Sequence, residues 1–458
     1  MKNRKQSYIA GAVIISAGGF ISKVLGAVYR IPLIFVLGGE GMGIYQMVYP
    51  LYCILLTVSA SGIPTGIARL ISSGKGSGAE RLALRIYGAV GLVGTLLMFA
   101  LSEPLAALQG EPAVALCCKM LSPAVFFVSI LSVVRGYFQG RGNMFPTAIT
   151  EVGEQVIKVA FGVALSYFFR NNLTLAVAST LFAVTASEII STAAAYLYYL
   201  KKRPVAPLYK ERGVQLSSIL KYTIPLTLTA IAMPLSQLAE SVVAVRILRG
   251  LTDDATALYG IYSGCAVTII NLPVSVTYGL AASSVPQISP LAESGNISAA
   301  KGKAYKALLI TFAVSAPAAV ALYVFAPFAA KIIFGSLTDS ERGILVTLVR
   351  IMAVCAVTQS LVQTSSACLT ALGKPVRSTI TQWVTCILRV AVLAGLLKFT
   401  PLGINGAAWA ANSAYLVATV INICYIISVK ELNGNGKNAD ENNADRFGEC
   451  VRRLNASG

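Results

Sequence analysis

The chain has 458 residues, of which 56% are hydrophobic and only 12% are charged, and its mean hydropathy is +0.71. Soluble domains carry about 25% charged residues, so this composition leaves too little polar surface for a water-soluble globule and excludes a disordered chain. The 37 Lys and Arg exceed the 19 Asp and Glu, but they lie between apolar runs long enough to cross a bilayer. Membrane topology therefore explains the positive charge, and no nucleic-acid partner is expected.

Twelve apolar segments follow one another along the chain, and they predict an all-α polytopic membrane protein with about 12 transmembrane helices. The first segment follows a basic N-terminus, but its length and its internal Lys23 and Arg30 favour a retained helix over a signal peptide. The segments lie at roughly 8–37, 43–72, 82–107, 113–138, 144–169, 173–200, 216–248, 256–290, 304–328, 343–371, 376–398 and 403–429.

The charges of the connecting loops predict the orientation of the chain in the membrane. With both termini placed in the cytoplasm, the inner loops and the N-terminus hold eighteen Lys and Arg, and the outer loops hold six. This asymmetry satisfies the positive-inside rule. The chain is therefore expected to be a multi-pass membrane protein with both termini cytoplasmic.

The two halves of the sequence repeat each other. Gly43-Ile44-Tyr45 recurs as Gly260-Ile261-Tyr262 at an offset of 217, and Lys158 aligns with Arg389 at an offset of 231. The shift is six segments, an even number, so the halves should share one orientation and be related by a pseudo-two-fold axis along the membrane normal. We expect an N-terminal six-helix lobe at 1–200, a basic cytoplasmic linker at 201–215, a second six-helix lobe at 216–430 and a polar, disordered cytoplasmic tail at 431–458.

Several kinds of enzyme site are absent from the sequence. There is no histidine, the nine cysteines form no CxxC pair, and no GxxxxGK[ST] nucleotide-binding motif occurs. The chain is therefore not expected to be an enzyme, to bind a metal or to use a cofactor. If it performs work, a membrane potential or a coupling cation such as Na+ or H+ would drive it.

Charged residues within the apolar segments are candidates for function, since a charge near the middle of a membrane helix costs about 2.5–3.5 kcal/mol on insertion scales. Lys23 lies near the middle of the first segment, and Arg30, seven residues later, shares its helical face. These two cations should face protein or water rather than lipid. Eight basic residues lie in the segments altogether, namely Lys23, Arg30, Arg69, Arg135, Lys158, Arg246, Arg350 and Arg389. Arg69, Arg135 and Arg246 lie near segment ends, where snorkelling to the headgroups is the simpler interpretation.

Four acids lie in the segments, namely Glu151, Glu154, Glu188 and Glu240. Glu154 and Lys158 are four residues apart, which favours an internal ion pair on one helix, and Arg389 lacks such a local partner. Glu188 and Glu240 could bind a coupling cation or pair internally. Because basic residues outnumber acids two to one, a water-filled cleft lined by them would attract an anionic substrate, with Lys and Arg donating to phosphate.

The opening of the chain resembles a known family. Ser22-Lys23-Val24-Leu25-Gly26, Tyr29-Arg30-Ile31-Pro32, Gly43-Ile44-Tyr45-Gln46, Arg69-Leu70-Ile71-Ser72 and Arg135-Gly136-Tyr137-Phe138-Gln139-Gly140 are similar to motifs of the stage V sporulation protein B family. That family consists of polysaccharide-biosynthesis flippases of the multidrug/oligosaccharidyl-lipid/polysaccharide exporter superfamily and is related to the lipid II flippases.

The resemblance implies a protein of the bacterial cytoplasmic (inner) membrane, with two lobes around a central cleft that opens alternately to each side. The implied cargo is a polyprenyl-pyrophosphate-linked sugar, such as a peptidoglycan precursor, with membrane lipids and cell-wall synthesis enzymes as further partners. By this resemblance Lys23 would bind the pyrophosphate, with Arg69 as a further basic residue; Arg30 and Arg389 complete the expected substrate-binding set.

Three other functions remain open at this stage. A cation-coupled multidrug exporter of the same superfamily would need an acidic cavity. A membrane polymerase or ligase would need an extended acid-bearing outer loop or a catalytic base. A non-transporting scaffold would carry the same apolar pattern.

Overall fold

The computed structural model describes residues 8–60, 63–72, 79–202 and 227–429, together with the side chains of most of them. The predicted linker at 201–215 lies outside the described residues except for Lys201 and Lys202, and the predicted tail at 431–458 lies wholly outside them. The side chains of Lys23 and Arg69 also lie outside the described part, although the backbone of each is helical.

Every regular element in the described ranges is a helix, as the composition predicts. The helices are α1 Tyr8–Ala60, α2 Ile63–Ser72, α3 Ala79–Ala100, α4 Ser102–Gln109, α5 Ala113–Leu121, α6 Pro123–Gly140, α7 Phe145–Phe168, α8 Leu173–Lys202, α9 Ala232–Arg249, α10 Ala255–Gly260, a π-helix Ile261–Ala266, α11 Val267–Glu293, α12 Ile297–Ile333, α13 Asp339–Ala371, α14 Pro375–Phe399 and α15 Asn405–Ser428.

The twelve predicted segments correspond to these helices within the described ranges; the start of the seventh, 216–226, lies outside them. Ten stretches in the described ranges are long and apolar enough to cross a membrane. One of them, Ala17–Ala60 within α1, contains most of the first predicted segment and the beginning of the second, which continues into α2. Gly38 separates the two with a positive backbone angle (φ 66°) that a side chain would disfavour. The 24-residue α7 adds another, although it carries three charged residues.

The same helix contacts occur twice. In the first half α7 packs on α1 and α8, α8 packs on α5 and α6, and α6 packs on α2 and α3. In the second half α14 packs on α9 and α15, α15 packs on α13, and α13 packs on α11 and α12. Each contact recurs after six predicted segments, which is the arrangement that two lobes of one orientation require.

The lobes meet mainly along α1, which packs against α9, α10 and the π-helix of the second lobe. Three inter-lobe hydrogen bonds near this interface join Gln46 to the Ser263 carbonyl, Gln109 to Ser241, and Arg249 to Glu111. These three bonds lie in the half of the bundle that carries Gly38, Glu111 and the 250–254 loop. The lobes are therefore closed against each other at that end, which the loop charges predict to be the outer end.

Close backbone packing accompanies these hydrogen bonds. A Cβ atom on Gly260 would lie 2.0 Å from the Gly39 carbonyl oxygen, and one on Gly43 would lie 2.1 Å from the Thr256 carbonyl oxygen. The glycines allow two helices to approach closer than side chains would permit.

Candidate functional site

A cleft of about 470 Å³ lies between the lobes, on the side of α1 away from the closed end. The first lobe contributes residues of α1 and α7, and the second lobe contributes residues of α11 and α13. The lining residues are Ser22, Val24, Gly26, Tyr29, Arg30, Tyr45, Tyr49, Gln155, Lys158, Asn271, Leu272, Val274, Ser275, Tyr278, Gln359 and Gln363. Because both lobes supply its walls, a relative movement of the lobes would change its shape.

The lining of this cleft is positively charged. Arg30 and Lys158 both face it, and none of the described residues that line it is acidic. Low-dielectric walls strengthen the field of charges in such a cleft. The cleft is therefore suited to an anion, as the balance of intramembrane charges predicts.

Arg30 lies on the face of α1 that turns toward the cleft, because Ser22, Gly26 and Arg30 are spaced by four residues each and so stack on one side of the helix. The guanidinium Nη1 donates to the Thr268 hydroxyl of α11 at 2.8 Å. Arg30 thus belongs to the first lobe but is bonded to the second. Its remaining donors make no hydrogen bond to described residues.

Lys158 is a buried cation without a close counter-ion. Its residue is 9% exposed, and its ammonium lies 5.9 Å from the centre of the Tyr29 ring. No acid among the described residues lies within ion-pairing distance of it. A buried charge in this state is a candidate ligand for an anion.

The predicted partner of Lys158 is bound elsewhere. Glu154 pairs with Arg135 of α6, with 2.5 Å between Oε1 and Nη2, and Arg135 also donates to the Thr150 hydroxyl at 2.9 Å. Both side chains are largely buried. The interpretation of Arg135 as a snorkelling residue is therefore wrong, because its guanidinium turns inward to a carboxylate.

Four polar atoms along the cleft have no hydrogen-bond partner among the described residues. They are Ser22 Oγ, Tyr29 Oη, Gln155 Oε1 and Gln363 Oε1. Buried polar atoms are nearly always satisfied in folded proteins, so a cluster of unsatisfied ones marks a place where water or a ligand completes the bonding. The four atoms come from both lobes, and their residues line the same cleft as the two cations.

The other expected ionic residues lie away from the cleft lining. Arg389 is buried in the second lobe, where its Nη2 lies 2.9 Å from Glu240 Oε2 and donates to the Tyr262 hydroxyl at 3.1 Å. Tyr262 in turn donates to Glu240 Oε1 at 2.7 Å. Glu188 is buried in the first lobe, and its Oε2 has no partner among the described residues.

The helical backbone of Lys23 lies between two cleft-lining residues, Ser22 and Val24, within the motif that resembles the flippase family. Arg69 lies on α2, and none of the described side chains of α2 lines the cleft. In the described part of the chain, no group of three His, Cys, Asp or Glu side chains is arranged to hold a metal ion.

Sequence reasoning missed the uncharged polar residues of the cleft. Gln155, Asn271, Gln359 and Gln363 lie within apolar segments, and Gln359 donates to Asn271 at 3.3 Å across two helices of the second lobe. The sequence pattern that could have indicated them is an amide residue four positions from another polar residue within an apolar segment, as in the pair Gln359 and Gln363. They were missed because only charged residues were considered as candidates within the apolar segments.

Comparisons with known proteins agree with this architecture. The chain is 25% identical over 443 residues to stage V sporulation protein B of Bacillus subtilis (strain 168), covering 93% of this chain and 84% of that protein. It is 26% identical over 325 residues to the lipid II flippase MurJ of the same organism, covering 63% of this chain and 59% of that protein.

Among solved structures, the fold is similar to a multidrug resistance MATE family transporter of the MOP superfamily in an inward-facing conformation. The TM-score is 0.78 and the sequence identity is 17%, over 93% of this chain and 100% of that one. Residues 8–292 match the family model described as polysaccharide biosynthesis protein. With the two-lobed helical fold and the motifs of α1, this match shows that the chain belongs to the polysaccharide biosynthesis protein family of membrane transporters.

Proposed function

We propose that this protein is an alternating-access flippase that moves a polyprenyl-pyrophosphate-linked sugar, a peptidoglycan precursor or another polysaccharide unit, across the cytoplasmic membrane. The observation that carries the proposal is the charge of the inter-lobe cleft: Arg30 and Lys158 line it, none of the described lining residues is acidic, and four residues of the lining carry unsatisfied polar atoms. A pyrophosphate offers oxygens that accept from both cations. The unsatisfied hydroxyls and amides would bond to the sugar or to water.

Lys23 is the next proposed ligand of the pyrophosphate. It lies two helical turns before Arg30, and the residues on either side of it line the cleft. Arg69 stays a more peripheral candidate. Arg389 would act indirectly, since its guanidinium is already bonded to Glu240.

Transport in this proposal involves no chemistry on the cargo, so the protein is not an enzyme. The closed end and the cleft that opens away from it give one of the two states that alternation needs. The membrane potential or a Na+ or H+ gradient would drive the cycle, with Glu188 as the coupling carboxylate because its Oε2 is unpartnered. Cell-wall synthesis enzymes would supply or consume the cargo.

Reconstituted proteoliposomes test this function with a fluorescent polyprenyl-pyrophosphate sugar, whose exposure at the outer face is measured by quenching. We expect Lys23→Ala, Arg30→Gln and Lys158→Gln each to lower the flipping rate at least tenfold. Lys23→Arg should keep part of the activity, because the charge survives with altered donor geometry. Arg170→Gln is the matched control, since Arg170 is an exposed cation stacked on Tyr167 outside the cleft.

A thermal-shift measurement on each variant separates lost transport from lost folding. Normal flipping by stably folded Lys23→Ala, Arg30→Gln and Lys158→Gln proteins would overturn the proposal. Extrusion of a cationic dye by the wild type, without movement of the lipid-linked sugar, would support the multidrug exporter instead. The fold similarity is compatible with that alternative, but a cleft without acids disfavours a cationic drug.

A further inference from the structure

A second groove, of about 580 Å³, lies on the outside of the second lobe, where α12, α13 and α15 meet. Its polar residues are Thr347, Arg350, Asn412 and Ser413, and its apolar walls include Trp409 and Leu416. Trp409 and Leu416 are about half exposed. None of the cleft residues belongs to this groove, so transport as proposed above does not use it.

Arg350 is the feature of this groove that needs an explanation. Its side chain is exposed, its guanidinium stacks on the Tyr323 ring at 5.6 Å, and it forms no ion pair or hydrogen bond with any described residue. An exposed cation on the lipid-facing side of a membrane helix is expensive unless it reaches a headgroup or an anion. Arg350 thus lines the groove with donors that no described residue accepts from.

The depth of the groove corresponds to the headgroup boundary. Arg350 is eleven residues from the start of α13, or about 17 Å along the helix, and α13 is about 50 Å long against a hydrocarbon core of about 30 Å. If α13 is centred in the bilayer, Arg350 lies about 7 Å inside the boundary, within reach of lipid phosphates. Trp409, near the start of α15, lies on the same side, as expected of an interfacial aromatic residue.

Asn412 supplies a second, independent feature. The residue is 8% exposed, and its Nδ2 donates to the Ile351 carbonyl oxygen at 2.7 Å. This bond fixes the orientation of the amide. Its Oδ1 is therefore an acceptor, and it has no partner among the described residues. A ligand that satisfies this acceptor must carry a hydrogen-bond donor close to the anionic group that Arg350 attracts.

We propose that this groove is a binding site for an anionic phospholipid whose headgroup carries hydroxyl groups, such as phosphatidylglycerol. The phosphate accepts from Arg350, a headgroup hydroxyl donates to Asn412 Oδ1, and an acyl chain lies along Trp409 and Leu416. The expected orientation places the site in the outer leaflet. The lipid would hold α12, α13 and α15 together at the periphery of the second lobe.

Native mass spectrometry of the purified full chain tests the site, with dioleoyl phosphatidylglycerol as the probe and dioleoyl phosphatidylcholine as its zwitterionic counterpart. We expect wild type and Arg170→Gln to bind phosphatidylglycerol equally and in preference to phosphatidylcholine. Arg350→Gln should bind it about tenfold more weakly, because a charge-assisted contact is lost. Phosphatidylglycerol should raise the Tm of wild type and Arg170→Gln but not of Arg350→Gln.

A separate measurement tests the role of Asn412 Oδ1 as the acceptor of a headgroup hydroxyl. Dioleoyl phosphatidic acid offers a phosphate without a glycerol headgroup, so wild type should prefer phosphatidylglycerol over it, and Asn412→Leu should lose that preference. An equal loss of phosphatidylglycerol binding in Arg350→Gln and Arg170→Gln would show that binding depends only on general surface charge, and it would overturn the site. Displacement of phosphatidylglycerol by farnesyl pyrophosphate in a one-to-one ratio would assign the groove to the cargo lipid and overturn the phospholipid. Neither result depends on the flipping assay.

Discussion

Arg135 of α6 and Glu154 of α7 form an ion pair with 2.5 Å between Nη2 and Oε1, and this pair leaves Lys158 without a counter-ion at contact distance. The two side chains are 14% and 12% exposed. The positive charge of Lys158 therefore remains at the cleft, because the carboxylate of Glu154 that could neutralise it is paired with Arg135 of the neighbouring helix α6.

We expect Glu154→Gln to lower the Tm, because removing one partner of a buried pair leaves the other charge uncompensated, at a cost of about 3–5 kcal/mol. The double variant Arg135→Met with Glu154→Leu should recover most of that loss, since replacing a buried pair by apolar side chains is often neutral. Thermal unfolding in detergent measures both. A double variant that melts no higher than Glu154→Gln would mean that the two side chains act separately.

Gly162 places Tyr29 beside Lys158. A Cβ atom at Gly162 would lie 1.8 Å from the Tyr29 hydroxyl, so Gly162→Ala must move the ring. Alanine normally stabilises a helix interior by up to about 1 kcal/mol relative to glycine; here we expect a lower Tm and a slower flipping rate. Gly153→Ala, on the same helix with no atom within 4 Å, is the control and should be neutral or stabilising.

Tyr29→Phe removes the nearest atom of that contact and should partly restore the Tm of Gly162→Ala. Equal stability of Gly162→Ala and Gly153→Ala would show that Tyr29 can move without loss.

The helices could be predicted from the sequence because apolar length is a local property of the chain. The two-lobe arrangement followed from motifs such as Gly43-Ile44-Tyr45 and its repeat at Gly260, and the repeated helix contacts agree with it. The partner of Glu154 could not be predicted, because the four-residue rule considers only its own helix, whereas Arg135 approaches from α6. For the same reason the sequence left Arg389 without a partner, although Glu240 lies 149 positions away in the chain and next to it in space.

The buried network of Arg389, Glu240 and Tyr262 predicts a structural role for Arg389. Arg389→Met should lower the Tm strongly because Glu240 loses its counter-ion, and Arg389→Met with Glu240→Leu should recover much of the loss. Binding of a fluorescent isoprenyl pyrophosphate should be close to wild type in the double variant, because neither residue lines the cleft. A stable double variant that no longer binds this ligand would instead make Arg389 a substrate-binding residue.

The loop charges predict which end of the bundle is outside. A cysteine introduced at Asp253 should react with a membrane-impermeant maleimide in intact cells, and one at Lys374 should react only after the membrane is opened. Both positions are exposed, so burial does not limit the reaction. The same labelling of the unsubstituted chain is the control, since it measures the reaction of the native cysteines. Labelling of position 374 in intact cells would invert the topology.

Gly260 allows the lobes to close at the end that carries the 250–254 loop. A Cβ there would meet the Gly39 carbonyl oxygen at 2.0 Å and the Gly43 nitrogen at 2.5 Å, and backbone atoms cannot rotate away as a side chain can. We therefore expect Gly260→Ala to push the lobes apart at this end and to slow flipping, because one of the two alternating states becomes strained.

The distance between spin labels at Leu108 and Leu251, exposed positions on opposite lobes, measures this separation and should increase by several ångströms in Gly260→Ala. Gly343→Ala, with no neighbour within 4 Å, should leave that distance unchanged. An unchanged distance in Gly260→Ala as well would show that the close contact of α1 with α10 does not control the closure.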